Sequence, residues 1–180
     1  MSTTLAGIGW NDRQQNDSRR SKQSEQRRTG GPMNLGPDFK EFVECCERHD
    51  VRYLIVGGYA VGFHGHVRYT KDLDVWVEAT PENASRILDA LDEFGFGSVG
   101  LTLDDFLVPG SVIQLGYPPN RLDLLTQPDG VTFVECWDTR ATVALDGVEL
   151  NVIGLDDLIA NKRASGRPRD LADIDDLGAS

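Results

Sequence analysis

Two aspartates, Asp72 and Asp74, stand in the stretch R-Y-T-K-D-L-D-V-W-V-E at residues 68–78. Asp72 to Glu78 is a predicted strand, and residues two apart on a strand share a face. Two like charges side by side repel unless something positive lies between them. A third carboxylate, Asp123, sits in Leu122-Asp123-Leu124-Leu125. There the leucines are set for the core and Asp123 for the opposite face. Ahead of the pair, Gly57-Gly58 ends a short apolar strand and opens a helix. Glycines at such a turn let backbone approach a ligand, and a helix start offers free N–H groups to a phosphate. Three carboxylates on neighbouring strands beside this turn suit a hard cation such as Mg²⁺. Two such ions can clamp the attacking and leaving oxygens of an in-line phosphoryl or nucleotidyl displacement.

Each piece also has a plainer account. An acidic chain produces D-x-D by chance, and Gly-Gly is often only a turn. No Walker loop and no G-x-G-x-x-G occurs. The order Gly-Gly, then D-x-D, then a later strand aspartate is what points to a site. Lys162 adds to it. Leu155, Leu158, Ile159 and Lys162 fall at i, i+3, i+4 and i+7, so a lysine ends an apolar stripe. Either its stem covers core while the amine reaches water, or the ammonium faces a triphosphate. Arg163, Arg167 and Arg169 form a local basic cluster beside it, and Asp170 reads as a structural partner of Arg169.

These groups must be carried by a regular framework. Pro37 to His49 puts Phe39, Phe42, Val43 and Cys46 on one helical face. Tyr53 to Val56 is a short strand, and Tyr59 to Gly65 a helix. Thr80-Pro81-Glu82 starts a helix with Ala84, Ile87, Leu88 and Leu91 inward. Ser111–Tyr117 and Arg121–Thr126 are predicted strands joined at Pro118-Pro119-Asn120. Thr132 to Asp138 is a short helix. Thr142–Leu145 and Val148–Ile153 pair across Asp146-Gly147. Leu155–Ala164 and Arg169–Leu177 are closing helices. The order predicts an α/β (α+β) domain with a mixed sheet.

Composition limits the partners. Net charge is −11 over 180 residues. Residues 1–32 carry six basic and three acidic residues, so the remainder is −14. That body has no global basic field to draw in nucleic acid. Residues 1–32 are too polar to bury a core and are expected to be a disordered extension. It is either dispensable or a basic nucleic-acid arm, and Met33 is a candidate start. Residues 33–180 form one domain. No apolar run approaches the ~20 residues of a membrane span, and no secretory h-region is visible. Cys45, Cys46 and Cys136 lack metal-ligand spacing, so reduced thiols and a cytoplasmic location are expected.

The pattern G-G, D-h-D-h and a later strand Asp resembles nucleotidyltransferases of the polymerase-beta type. More narrowly, "VGGYAVGFHG", "RYTKDLDVWV" and "KRASGRPRDLADI" resemble small bacterial nucleotidyltransferases related to the abortive-infection (AbiEii-type) toxins of toxin–antitoxin systems. The likeness covers residues 37 to 177. It implies a minimal nucleotidyltransferase fold, a mixed β-sheet flanked by helices. It implies Mg²⁺-dependent transfer of NMP from an NTP to an acceptor hydroxyl of tRNA, protein or a small molecule. By position, Gly57 and Gly58 would hold the nucleotide phosphates. Asp72 and Asp74 would bind two Mg²⁺ ions. Asp123 would bind the catalytic metal and take the proton from the attacking hydroxyl. Lys162 would contact the triphosphate, and Arg68 and Thr70 would orient the phosphates or the loop. A cognate antitoxin protein is the implied partner.

Two departures stand out. Gly58 occupies a position where many members carry Ser, and the sequence stops short of the larger helical C-terminal domain of the longer toxins. The rival readings are a catalytically inactive nucleotide-binding or interaction module of the same fold, and a D-x-D glycosyltransferase. A haloacid-dehalogenase phosphatase does not fit, since Arg68-Tyr69-Thr70-Lys71 precedes the aspartates where an apolar strand should.

Overall fold

The computed structural model describes residues 35–66, 70–117 and 121–179. The expectations for residues 1–32, Met33, Arg68 and the Pro118-Pro119-Asn120 turn lie outside that range.

The chain begins with helix α1 (Pro37–Arg48), whose Phe39, Phe42, Val43 and Cys46 are buried as their spacing predicts. Strand β1 (Tyr53–Ile55) leads directly into α2 (Gly57–Phe63), which starts two residues earlier than expected, on the first glycine. Strand β2 (Asp72–Val77) follows. Helix α3 (Pro81–Leu91) is capped by Thr80, whose side chain accepts from the Asn83 N–H. Ala84, Ile87 and Leu91 face inward, while Leu88 is only partly buried and Ala90 fills the core in its place. Past α3 the chain makes a wide turn at Asp92–Phe96, a 3₁₀ turn at Gly97–Val99 and a short α4 (Leu103–Leu107). This stretch carries no clean helical or strand period. Its Phe94 and Phe106 are buried.

Strands β3 (Val112–Leu115) and β4 (Arg121–Leu125) pair antiparallel. Helix α5 (Phe133–Asp138) comes next. Then β5 (Ala141–Leu145) and β6 (Val148–Val152) form a hairpin through Asp146 and Gly147, both at positive φ. A two-residue loop with both φ positive matches the right-handed twist of its strands. Helices α6 (Leu155–Ser165) and α7 (Pro168–Asp176) close the chain and pack on each other. In α6, Leu158, Ile159 and Lys162 are buried, but Leu155 is exposed.

All six strands form one sheet in the order β3-β4-β2-β1-β6-β5. Pairs β1–β6 and β2–β4 are parallel and the others antiparallel. This is the mixed sheet with flanking helices that the element order predicts. Along β2 the alternation separates two sets. Leu73, Val75 and Val77 take one face, and Asp72, Asp74 and Trp76 the other. Trp76 is buried against the edge of Phe133 from α5, at 5.1 Å between ring centres, and donates to the Thr126 carbonyl. Burying that indole is what fixes the register of the charged face. Asn83 ties α3 to the sheet ends. Its side chain accepts from the Arg52 N–H and donates to the carbonyls of Arg52 and Glu78.

Candidate active site

The parallel pairing of β2 with β4 sets Asp74 directly opposite Asp123, and Asp72 opposite Arg121. Adjacent strands lie about 4.8 Å apart, so the three carboxylates share one small patch of sheet. Asp123 is 7% exposed although it is charged. Leu122 and Leu124, on its other side, are in the core, as the sequence predicts.

The positive group among these charges is Arg121. Its Nε lies 2.7 Å from Asp123 Oδ1, and one terminal nitrogen lies 2.9 Å from both Asp123 Oδ2 and Asp72 Oδ2. This is the two-pronged grip that a planar guanidinium gives a carboxylate. Gln114 on β3 adds a 3.3 Å amide contact to Asp123 Oδ2. Sequence reasoning missed Arg121. The spacing R-L-D was legible as placing Arg121 and Asp123 on one face, but only the strand register puts it opposite Asp72.

Asp74 is held differently. It accepts the Gly58 backbone N–H, yet its pKa is pushed up to about 6. Burial is the main cause, followed by the charges of Asp123 and Asp72. The Gly58 N–H and the more distant Arg121 oppose that rise without cancelling it.

The glycine turn packs against this carboxylate. Gly57 has φ +62°, and a Cβ there would stand 2.1 Å from Asp74 Oδ2. Only glycine fits both the backbone and the space. A Cβ on Gly58 would stand 2.9 Å from Thr70 Cβ and 3.0 Å from Thr70 Oγ1. The threonine side chain therefore fills the space that a serine at position 58 would need. Thr70 donates to the Asp72 carbonyl and so braces the start of β2.

A cleft of about 550 Å³ opens over this patch. Gly57, Gly58, Asp74, Arg121 and Asp123 line one side, and Asn161, Lys162, Ser165, Arg167, Arg169 and Asp170 the other. Lys162 is 3% exposed, and its ammonium donates to Asp170 (2.9 Å) and Asp173 (2.6 Å). Ser165 also donates to Asp170. Lys162 thus borders the cleft while it joins α6 to α7. Asp170 is bonded to Lys162, not Arg169. Arg163 turns away to the Ala179 carbonyl, whereas Arg167 and Arg169 are exposed on the cleft wall.

The donor set suits a divalent cation in its chemistry. Asp72 Oδ1 is buried with no hydrogen-bond partner, and the crowding that raises Asp74 is what a cation would relieve. Among the described residues, no three Asp, Glu, His or Cys side chains close into an ion cage as they stand. Arg121 holds two of the carboxylates instead. All three cysteines are free and buried, and burial raises their pKa, so none is an activated nucleophile.

The mixed six-stranded sheet with flanking helices matches the fold of nucleotidyltransferase structures. The chain belongs to a nucleotidyltransferase family of unknown function, DUF6036, whose model matches residues 38–178. Solved structures of the same fold agree. Lincomycin-bound LnuA, a lincosamide antibiotic adenylyltransferase, is 12% identical with a TM-score of 0.51, over 82% of this chain and 99% of that one. TM1012 of Thermotoga maritima, described provisionally as a nucleotidyltransferase, is 12% identical with a TM-score of 0.54, over 76% of this chain and 87% of that one. No match is found among the curated proteins. Among the described residues, no helix is long and apolar enough to cross a membrane.

Proposed function

We propose that the protein transfers NMP from an NTP to an acceptor hydroxyl with the help of Mg²⁺. The observation that carries the reading is the register of Asp74 with Asp123 beneath the Gly57-Gly58 turn. The acceptor oxygen attacks the α-phosphorus, the bond from that phosphorus to the β-bridging oxygen breaks, and pyrophosphate leaves. Asp72, Asp74 and Asp123 would hold the cations, and Asp123 would receive the acceptor's proton. When bound, Mg²⁺ neutralises charge that develops on the transferred phosphoryl group. Gly57 and Gly58 approach the phosphates closely, Thr70 and Arg68 orient them, and Lys162 steadies the far wall next to the triphosphate. The protein's share is positioning and charge neutralisation.

The acceptor separates three versions of the reading. The acidic body disfavours tRNA, yet Arg167 and Arg169 offer a local basic wall. LnuA shares the fold and is named for a small-molecule acceptor, which supports that arm. A protein hydroxyl is the third. The resemblance to AbiEii-type toxins adds a cytoplasmic toxin with a cognate antitoxin. Labelled NTPs incubated with tRNA, total protein and hydroxylated antibiotics read out the acceptor. Growth arrest on expression, relieved by the product of a neighbouring reading frame, reads out the toxin. Absence of Mg²⁺ and NTP binding, with Asp74→Asn changing nothing, sinks the enzyme reading.

The second reading is a nucleotide-binding module of the same fold that performs no transfer. The grip of Arg121 on two of three carboxylates favours it. Tight NTP binding without transfer to any acceptor is its signature.

A further inference from the structure

We propose that Arg121 is the site's built-in counter-ion, which a divalent cation must displace. The guanidinium holds Asp72 and Asp123 in the cation-free protein and gives up Asp72 as the cation enters. This rests on the metal-dependent reading above. Three carboxylates face one guanidinium on this patch of sheet, leaving a net charge of −2. That is a deficit one divalent ion fills.

The geometry selects the bond that yields. Two contacts tie Arg121 to Asp123, at 2.7 and 2.9 Å, against one to Asp72. Asp123 is buried on the strand that also carries Arg121, so that pair travels as a unit. Asp72 belongs to the neighbouring strand, and its side chain is 32% exposed. Its Oδ1 is already without a partner. A cation entering from the cleft thus meets Asp74 and Asp123, which line it, while Asp72, on the same face of β2 as Asp74, holds a buried oxygen that has no other partner. Arg121 is the first residue of β4, and its side chain lines the cleft, so its head group has room to swing there. Gln114 also contacts Asp123, so that carboxylate stays anchored while the arginine releases Asp72. The residue acts through the carboxylates and is a positioning residue.

A purely structural arginine and a competing one predict opposite signs. If Arg121 only props up Asp123, its loss loosens the site and weakens cation binding. If it competes, its loss costs stability in the cation-free protein but strengthens cation binding. The test uses the full chain and Mn²⁺ alone, titrated by calorimetry with thermal melts alongside. Arg121→Gln should melt lower without the cation and bind Mn²⁺ roughly tenfold tighter, since an opposing charge is gone. Arg121→Lys keeps the charge but loses the fork, so its affinity should fall between. It also carries the measurement if Arg121→Gln does not fold without cation. Affinity equal to or weaker than the parent in a folded variant overturns the competition while leaving the enzyme reading intact. Absence of Mn²⁺ binding in every protein, with or without NTP, overturns both.

Discussion

Asp74 and Asp123 are direct partners across two parallel strands, both acidic, Asp123 buried and Asp74 partly buried. Such a pair is costly for the cation-free fold, and the cost is measurable. Asp74 has its pKa raised from 3.8 to about 6. An acid with a raised folded-state pKa holds its proton longer when folded, so stability falls as pH climbs from about 4 to 6. At neutral pH the deficit is about 3 kcal/mol. Asp74→Asn keeps an acceptor for the Gly58 N–H and removes the charge. It should stabilise the cation-free protein by about 2 kcal/mol at pH 7 and by almost nothing at pH 4, read by urea unfolding at both pH values.

The same substitution should abolish function. Losing a carboxylate that holds the cation at the transferred phosphoryl group should lower transfer by roughly 100-fold or more. Asp123→Asn should do the same. The check is a labelled-NTP transfer assay at saturating Mg²⁺. A variant that gains stability and keeps full transfer would contradict the assignment.

Gly57→Ala should be among the most damaging small substitutions. The left-handed backbone alone costs about 1–2 kcal/mol for an L-residue. The new methyl would also lie on Asp74 Oδ2 and push the carboxylate away. A loss of at least about 2 kcal/mol is expected by denaturant unfolding, with weaker Mn²⁺ binding in what remains folded. By contrast Gly36→Ala, at the N-cap of α1 where nothing lies within 4 Å, should cost no more than about 1 kcal/mol and leave Mn²⁺ binding unchanged.

Gly58 and Thr70 should be coupled. Gly58→Ser must move the threonine side chain that already fills the space. Alone it should destabilise by about 1–3 kcal/mol. In a Thr70→Ala background the cost should shrink, giving an interaction energy of about 1 kcal/mol in a double-mutant cycle. Simple additivity would show that the two positions are independent.

Lys162→Met should destabilise the fold strongly. It leaves Asp170 and Asp173 without their shared cation between α6 and α7. Breaking one side of a buried pair costs about 3–5 kcal/mol. A lysine that serves only the nucleotide would instead leave the melting temperature alone and raise KM for NTP. Thermal melts and KM together separate the two roles.

The chain's local patterns were enough for most of the framework. Helical spacing gave α1, alternation gave β2, Asp146-Gly147 gave the last hairpin, and Gly-Gly with D-x-D and Asp123 gave the site's acidic members. Each of these is a signal confined to a few neighbouring residues. The segment from Asp92 to Leu107 carries no clean period, because its turns change pitch every few residues. The two accounts of Lys162 could not be separated either. Spacing shows which face a side chain takes, while its partners Asp170 and Asp173 come from another helix. Arg121 is the clearest case. Its type and its distance from Asp123 stand in the sequence, but whether it meets Asp72 depends on β2 lying parallel to β4 in one register. That register is set by burial of Trp76 and the leucines, a cooperative choice made by the whole core. The sequence by itself determined which charges the site contains; the tertiary structure decided which of them neutralise one another.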